Sequence, residues 1–561
     1  CGLNTVAAEP LSVDAAMDQI VSRLYETHSL AELKALDEAA ILAFITPEER
    51  EALATRHVQF RVNVPATVSV LRHTGQGTLP FWLPAAGFEK TDLTVTNSQG
   101  WVYEVWQRYV PAGPVGLGIN GFGKHRPHYF VSVAPQDDAD RLAVTEVLPA
   151  RFEVRRLHAG ASVYHDWTSL VLEEVPDALT GQHYITTIRG RARAAHLIGG
   201  FRTTPHPSQA APDQITLSWT GAPQTTQTVS WRTNTAVTDG VVRVRIEGER
   251  DTLREVAAGH ELVEDRFLAN DRYCHRHVAT LTGLEPGTTY AYQVGSASRG
   301  DWSAWATFRT APAAAQPFTF IAFGDTQSME PWAPVAEAAL RDYPDAAFQL
   351  IAGDLVGTGQ YRDHWDRFFA TGAPLTRRWP LMPALGNHDV IDGLGADMWR
   401  AAHALPLNGP GHLEPERVYA FEYSNALFVV LDSGLPIMEQ ASWLEEQLAN
   451  TAADWKIVMY HFPPYNYEHP YPEIKSLWGY LFDKYDVDLT FEGHFHYYMR
   501  SKPMAQGQPV EDGHGTTHVI TIAIPNSERD LPDEPYVAVQ KSGVALYTAV
   551  RVDGDTLEYK A

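Results

Sequence analysis

Three rhythms of apolar and polar positions follow one another along the chain. Up to residue 57, apolar residues recur at three- and four-residue spacing, as in Ile20 and Leu24 and again Leu33 and Leu36, which predicts short helices with one buried stripe. Ser12, Ser29 and Thr46 stand where N-caps belong. Ser29 with Glu32 and Thr46 with Glu49 fit the capping box, and Pro47 falls in a first turn, where its missing N–H is tolerated. From 58 to 205 the period drops to two. Phe60-Arg61-Val62-Asn63-Val64 and Val68-Ser69-Val70 alternate, and Tyr129-Phe130-Val131-Ser132-Val133 is rich in β-branched and aromatic residues. This stretch reads as a β-domain whose role is not legible.

A linker at 206–212 leads into 213–312, where short alternating strands such as Val229-Ser230-Trp231 and Val242-Arg243-Val244 are separated by regular turns, the pattern of a β-sandwich. A second linker, 311–316, precedes a different texture over 317–561. Near-continuous apolar strands now alternate with helical patterns: Phe318-Thr319-Phe320-Ile321-Ala322-Phe323, Phe348-Gln349-Leu350-Ile351, Leu427-Phe428-Val429-Val430-Leu431. Such strands are buried on both faces, which predicts α/β architecture with sheets flanked by helices. In such folds the chemistry gathers beyond the carboxyl ends of the strands.

The length of 561 residues allows three or four domains at about 100–200 residues each. Lys plus Arg is 44 against 68 Asp plus Glu, a net charge of −24, so the surface repels polyphosphate backbones and general nucleic-acid binding is disfavoured. No stretch approaches the ~20 apolar residues of a membrane helix. Two cysteines, Cys1 and Cys274, make no disulfide framework or zinc ribbon; Cys274 is expected as a small buried strand residue. Cys1-Gly2-Leu3-Asn4 resembles the mature start of a bacterial lipoprotein. The expectation is a lipid anchor on Cys1, a short tether after it, and an extracytoplasmic place in the periplasm or on the cell surface. The run Gly116-Leu117-Gly118-Ile119-Asn120-Gly121-Phe122-Gly123 is no nucleotide loop, since no helix pattern follows it. Lys124, His125, Arg126 and His128 after it read as a solvated loop, with an anion contact as the alternative.

Polar groups stand at strand end after strand end in 317–561: Asp325 with Gln327, Asp354, Asn387-His388-Asp389, His461, and His494 with His496. These are carboxylates, amides and imidazoles without a thiolate, a set suited to Zn, Mn or Fe. Six or more such side chains suffice for two ions if one carboxylate bridges. Two ions about 3.5–4 Å apart can clamp a phosphoryl group and generate hydroxide at neutral pH.

In order and spacing, Gly324-Asp325, Gly353-Asp354, Gly386-Asn387-His388-Asp389, His461 and Gly493-His494-Phe495-His496 resemble the motifs of the calcineurin-like metallophosphoesterases. His461-Phe462-Pro463-Pro464-Tyr465-Asn466 and the stretch from Phe491 to Ser501 are similar to the purple acid phosphatase branch. That branch carries a fibronectin type III-like sandwich before the catalytic domain, matching 213–312 here. The resemblance covers about 213–561 and not 1–205. It implies that Asp325, Asp354 and His496 hold one metal, with Gln327 either a further ligand through its amide oxygen or a hydrogen-bond partner of metal-bound water, that Asp354, Asn387, His461 and His494 hold the other, and that Asp354 bridges. It leaves His388 as a proton donor to the leaving oxygen or a stabiliser of the phosphoryl charge. Asp389 either orients His388 or caps a turn. His469 and Arg500 are substrate-binding candidates, each with a structural alternative: an exposed loop histidine and an ion-paired arginine.

Two departures bear on the metals, and the first is Gln327, two residues after Asp325, where many metallophosphoesterases carry a ligand histidine. The branch has an iron-binding tyrosine three residues after the second-motif aspartate, and this chain has Gly357 there. The expected activity is hydrolysis of phosphomonoesters by attack of metal-bound hydroxide. The alternatives are a phosphodiesterase with the same site and a surface binding protein with a vestigial one. No Gly-x-Ser-x-Gly elbow points to a serine hydrolase.

Overall fold

The helices expected before residue 57 start where their caps stand. Ser12 Oγ accepts from Ala15 N at the head of Val13–Thr27, and the Ser29/Glu32 and Thr46/Glu49 boxes close in both directions at Leu30–Lys34 and Pro47–Thr55. A further helix, Glu38–Phe44, is capped by Asp37. A cap is worth about 1 kcal/mol, which matters most for a helix as short as the five residues of Leu30–Lys34.

The computed structural model describes residues 10–125, 127–327, 329–390, 393–511, 514–525 and 527–561. Cys1, the expected lipid-bearing residue, lies outside them, as does Arg126. No helix of the described residues is long and apolar enough to cross a membrane. The described residues form two compact units. The first runs to Thr203 and takes in Arg266–Ala269 and 393–394; the second holds Thr204–Asp265, 270–390 and 395–561.

In the first unit the four helices bury Ile20, Leu24, Leu33, Ile41 and Leu53 in a cluster shared with Ile119 and Phe122 from the glycine-rich run. The run serves packing. A Cβ on Gly116 would come within 2.2 Å of the Thr55 carbonyl oxygen, and one on Gly118 within 2.4 Å of the Trp82 ring. Strands form an antiparallel sheet in the order Glu89–Thr96, Val102–Val110, Ala66–His73, Phe130–Pro135, His183–Ile185, Val154–Arg156, beside a three-stranded sheet centred on Val58–Val62.

The second unit begins with two four-stranded antiparallel sheets face to face. One is Asp213–Ser218, Gln227–Thr233, Tyr273–Leu281, Gly259–Glu264; the other is Arg254–Ala257, Gly240–Ile246, Thr289–Ser296, Ala306–Arg309. Between them lie Leu217, Val229, Trp231, Val244 and Tyr292. Cys274 is buried in its strand, as expected.

Beyond the sandwich two larger sheets stack. A five-stranded sheet runs Leu381–Ala384, Gln349–Ala352, Phe318–Phe323, Thr548–Asp553, Thr556–Lys560, its first three strands parallel. A seven-stranded sheet has Ala426–Val430, Trp455–Met459, Leu489–Glu492 and Thr517–Ile520 parallel at its centre. Phe320, Phe348 and Phe428 meet between the sheets with ring centroids 5.1–5.3 Å apart. Along Ala426–Val430, Phe428 and Val430 enter this core, while Leu427 and Val429 face helices Ile437–Asn450 and Gly479–Tyr485 on the other side. Both faces being covered is why the strands read as continuous apolar runs.

The sandwich is tied to this layered region by buried polar contacts. Arg232, 2% exposed, pairs with Asp366 of helix Arg362–Thr376 at 2.6 Å and with Asp213 at 2.6 Å. Arg276 donates to the Ala402 carbonyl at 2.7 Å.

Candidate metal centre

The turns after five parallel strands converge on one another, and glycine lets them do so. A Cβ on Gly386 would stand 2.2 Å from Asp354 N, and one on Gly493 2.4 Å from Asp325 Oδ1. Asp325, Asp354 and His494 all have positive φ, at 32°, 53° and 72°. This left-handed region is costly for residues with a Cβ, and where it is held it tends to mark a working site.

The side chains of Asp354, His461 and His494 come together, their ligand atoms all within 4.8 Å of one another. His461 Nδ1 lies 2.8 Å from the Ala352 carbonyl, so it carries the proton and donates there. That leaves the lone pair of Nε2 facing Asp354 Oδ2 at 3.2 Å and Asn387 Oδ1 at 3.2 Å. Asp354 Oδ1 accepts from the backbone N–H of His388 at 2.8 Å, which anchors the carboxylate. Beside this group, Asp325 Oδ1 accepts from His494 N at 2.9 Å. Asp325 Oδ2 is buried without a hydrogen bond, 3.0 Å from His496 Nε2, and Gln327 Nε2 is 3.1 Å from the same nitrogen.

Oxygen and nitrogen lone pairs thus face one another in a buried place, an arrangement that needs a proton or a cation between them. In the chain by itself a proton serves. Burial pushes the Asp354 carboxyl up, but His461 outweighs it and holds the group below the usual carboxylate range. His461 is pushed up to about 10, because the Asp354 charge overrides the burial that would lower it. Burial drops His494 to about 3, so it stays a neutral ligand-type imidazole. A hard oxygen and imidazole set, with buried carboxylate oxygens of Asp325 and Asp354 facing imidazole nitrogens, fits Zn, Mn or Fe.

The remaining expected residues divide. His388 is half-buried, and its Nδ1 lies 3.0 Å from the Gly357 carbonyl. Asp389 does not orient it. The Asp389 oxygens accept from Val356 N at 3.1 Å and Gly386 N at 2.9 Å, so the residue caps the turn and its expected catalytic role is corrected to a structural one. Burial, then the nearby Asp354 charge, raises the Asp389 carboxyl to about 8. The Arg500 guanidinium lies over the Tyr559 ring, 5.6 Å from the centroid, and makes no ion pair among the described residues. The His469 ring sits 4.9 Å from Tyr471, which stacks on Phe462 at 5.1 Å, which in turn meets the His494 ring at 4.7 Å. His469 is therefore two rings away from His494.

The sequence reading missed Phe462 and the buried pair Tyr460 and Glu492. Tyr460 OH donates to Glu492 Oε1 at 2.7 Å, joining the strands that lead to His461 and His494. The available signal was a carboxylate inside an otherwise apolar strand end, Leu489-Thr490-Phe491-Glu492.

Residues 212–310 match the purple acid phosphatase N-terminal domain, and residues 318–498 match the calcineurin-like phosphoesterase family. The first segment belongs with the purple acid phosphatase N-terminal domains and the second with the calcineurin-like phosphoesterases. Among the relatives, purple acid phosphatase 13 of Arabidopsis thaliana is 26% identical over 52% of this chain and 63% of its own length. Human acid phosphatase type 7 is 29% identical over 58% of this chain and 80% of its own. An uncharacterized Mycobacterium tuberculosis protein is 28% identical over 42% and 51%. The chain spans about half the length of the first curated relatives it matches, 51%. The structure of purple acid phosphatase PPD1 from yellow lupin seeds shares the fold, with a TM-score of 0.55 and 15% identity over 91% of this chain and 89% of that one.

Proposed function

We propose that the metallophosphoesterase part of this chain hydrolyses phosphate esters at a two-metal centre, with phosphomonoesters preferred. The observation that carries this reading is the convergence of Asp354, His461 and His494, three ligand-type side chains from three separate strand ends, within 4.8 Å. Asp325, His496 and Gln327 would hold one ion, Asn387, His461 and His494 the other, with Asp354 shared. Two bound ions supply charge neutralisation for a phosphoryl group and a water-derived nucleophile at neutral pH.

The chain's own residues take the other tasks. The Ala352 carbonyl keeps the His461 proton on Nδ1 and so keeps Nε2 aimed into the site. The Gly357 carbonyl fixes the His388 proton on Nδ1 in the same way, so His388 would give a proton to the leaving oxygen, or steady the phosphoryl charge, only as the imidazolium with Nε2 also protonated.

Metal analysis of the purified protein, joined to hydrolysis of p-nitrophenyl phosphate and its bis ester, tests the reading. Two equivalents of metal with faster monoester turnover are expected. Faster diester turnover would replace the monoester preference with a phosphodiesterase. Neither activity in a metal-replete protein would overturn the hydrolase and leave a binding protein.

A further inference from the structure

A cavity of ≈ 230 Å³ lies away from that centre, beside strand Thr517–Ile520. His518 of that strand lines it, although only 3% exposed. Its Nδ1 is 2.8 Å from Glu492 Oε1 and 2.9 Å from Thr490 Oγ1. In the neutral imidazole a carboxylate partner holds the proton on Nδ1 and leaves the lone pair on Nε2. No group among the described residues bonds to Nε2.

Burying a carboxylate is costly unless it serves another group. Glu492 is fully buried with Oε2 unpartnered; its Oε1 accepts from Tyr460 OH at 2.7 Å, Thr490 Oγ1 at 2.7 Å and His518 Nδ1 at 2.8 Å, and so orients the imidazole that lines the cavity.

The lining has a definite chemistry. The Tyr465 ring packs on His518 with centroids 4.7 Å apart, and Lys475 Nζ lies 4.9 Å from the centre of the same tyrosine ring. The Lys475 ammonium has no ion-pair partner among the described residues. Asp483, which also lines the cavity, is engaged by the Gln506 backbone N–H at 2.7 Å. The space therefore offers a cation, a lone pair and an aromatic wall. Its complement carries an anion, a hydroxyl donor and a flat apolar body. The volume is below the about 300–1,000 Å³ of drug-sized ligand sites, which limits the body to a single ring.

We propose that this cavity binds a small monocyclic aromatic acid bearing a hydroxyl group. The carboxylate faces Lys475, the hydroxyl donates to His518 Nε2, and the ring packs on Tyr465.

Isothermal titration calorimetry of 2-, 3- and 4-hydroxybenzoate into the purified full chain tests this independently of any esterase activity. At least one isomer is expected to bind saturably at one site per chain. Benzoate, which lacks the donor, and phenol, which lacks the carboxylate, should each bind at least about tenfold more weakly, the scale of one well-made polar contact. Lys475→Met and His518→Gln should each weaken the binding isomer by a similar factor. Lys475 lies at the exposed side, so its variant reads out the site even if His518→Gln does not fold. No saturable binding by any isomer, equal binding of benzoate, or unchanged affinity in Lys475→Met overturns the proposal.

Discussion

His388 and Gly357 are linked across the candidate centre: the imidazole Nδ1 stands 3.0 Å from the glycine carbonyl oxygen. A carbonyl only accepts, so Nδ1 carries the proton and Nε2 is free to act. Gly357 occupies the position of the iron-binding tyrosine in the purple branch. Here its backbone aims a histidine.

His388→Ala is expected to retain metal and to slow turnover by about 10²–10⁴-fold, the range for general acid–base catalysis. The loss should be large for alkyl phosphates and smaller for p-nitrophenyl phosphate, whose leaving group needs little protonation. Equal losses on both substrates would move His388 from proton donor to charge stabiliser.

Asp354 is held by the backbone N–H of His388 on one oxygen and faces His461 with the other. Asp354→Asn removes the charge that both ions would share. Metal analysis is expected to find both sites depleted and activity nearly abolished; two ions at full occupancy would refute the shared role.

With no side chain at 357, the protein has no phenolate there to place on iron. Loaded with ferric iron, it should show no intense visible charge-transfer band, which an absorption spectrum checks directly.

The Arg232 and Asp366 side chains are 2% and 1% exposed. Removing one member strands a buried charge, at a cost of about 3–5 kcal/mol, whereas replacing both with apolar residues is far milder. Arg232→Leu should lower the urea midpoint of unfolding sharply, and Arg232→Leu with Asp366→Leu should recover much of it. A double variant no more stable than the single one would show that the two residues do not act as a pair.

His403 is buried against Trp399, with ring centroids 4.2 Å apart and its Nδ1 3.0 Å from the Trp399 carbonyl. Burial lowers its pKa to about 3, against about 6.5 unfolded. Because the folded value is the lower one, the unfolded chain takes up the proton first. The stability it contributes is complete above pH 6.5 and is lost as pH falls toward 3. Between pH 6 and 4 the wild type should lose about 1.4 kcal/mol per pH unit more than His403→Phe. Urea titrations at the two pH values measure the difference.

Local chemistry made much of this legible in advance. Ser29, Thr46 and their glutamates are three residues apart, and a capping box is complete within that span. The apolar runs ending at Phe323 and Leu431 announced strands covered on both faces, since a continuous run has no other stable place. The motif order identified Asp354, His461 and His494, because each follows a strand and carries its own glycine or turn. The roles of Asp389 and Arg500 were not legible. A carboxylate or guanidinium near a motif looks the same in sequence whether it faces a ligand, two backbone N–H groups or the Tyr559 ring.

The sequence by itself determined where the strands end, which donor atoms wait at those ends, and that the donors suit a divalent or trivalent ion. The tertiary structure alone decided which donors meet. Asp354 and His461 are far apart in the chain and come within 3.2 Å only because parallel strands of two stacked sheets end side by side. It also decided that His518 lines a cavity while Glu492 holds its Nδ1. Such pairings depend on sheet order and on the direction of each side chain, and both are fixed only when the two sheets and their helices pack together.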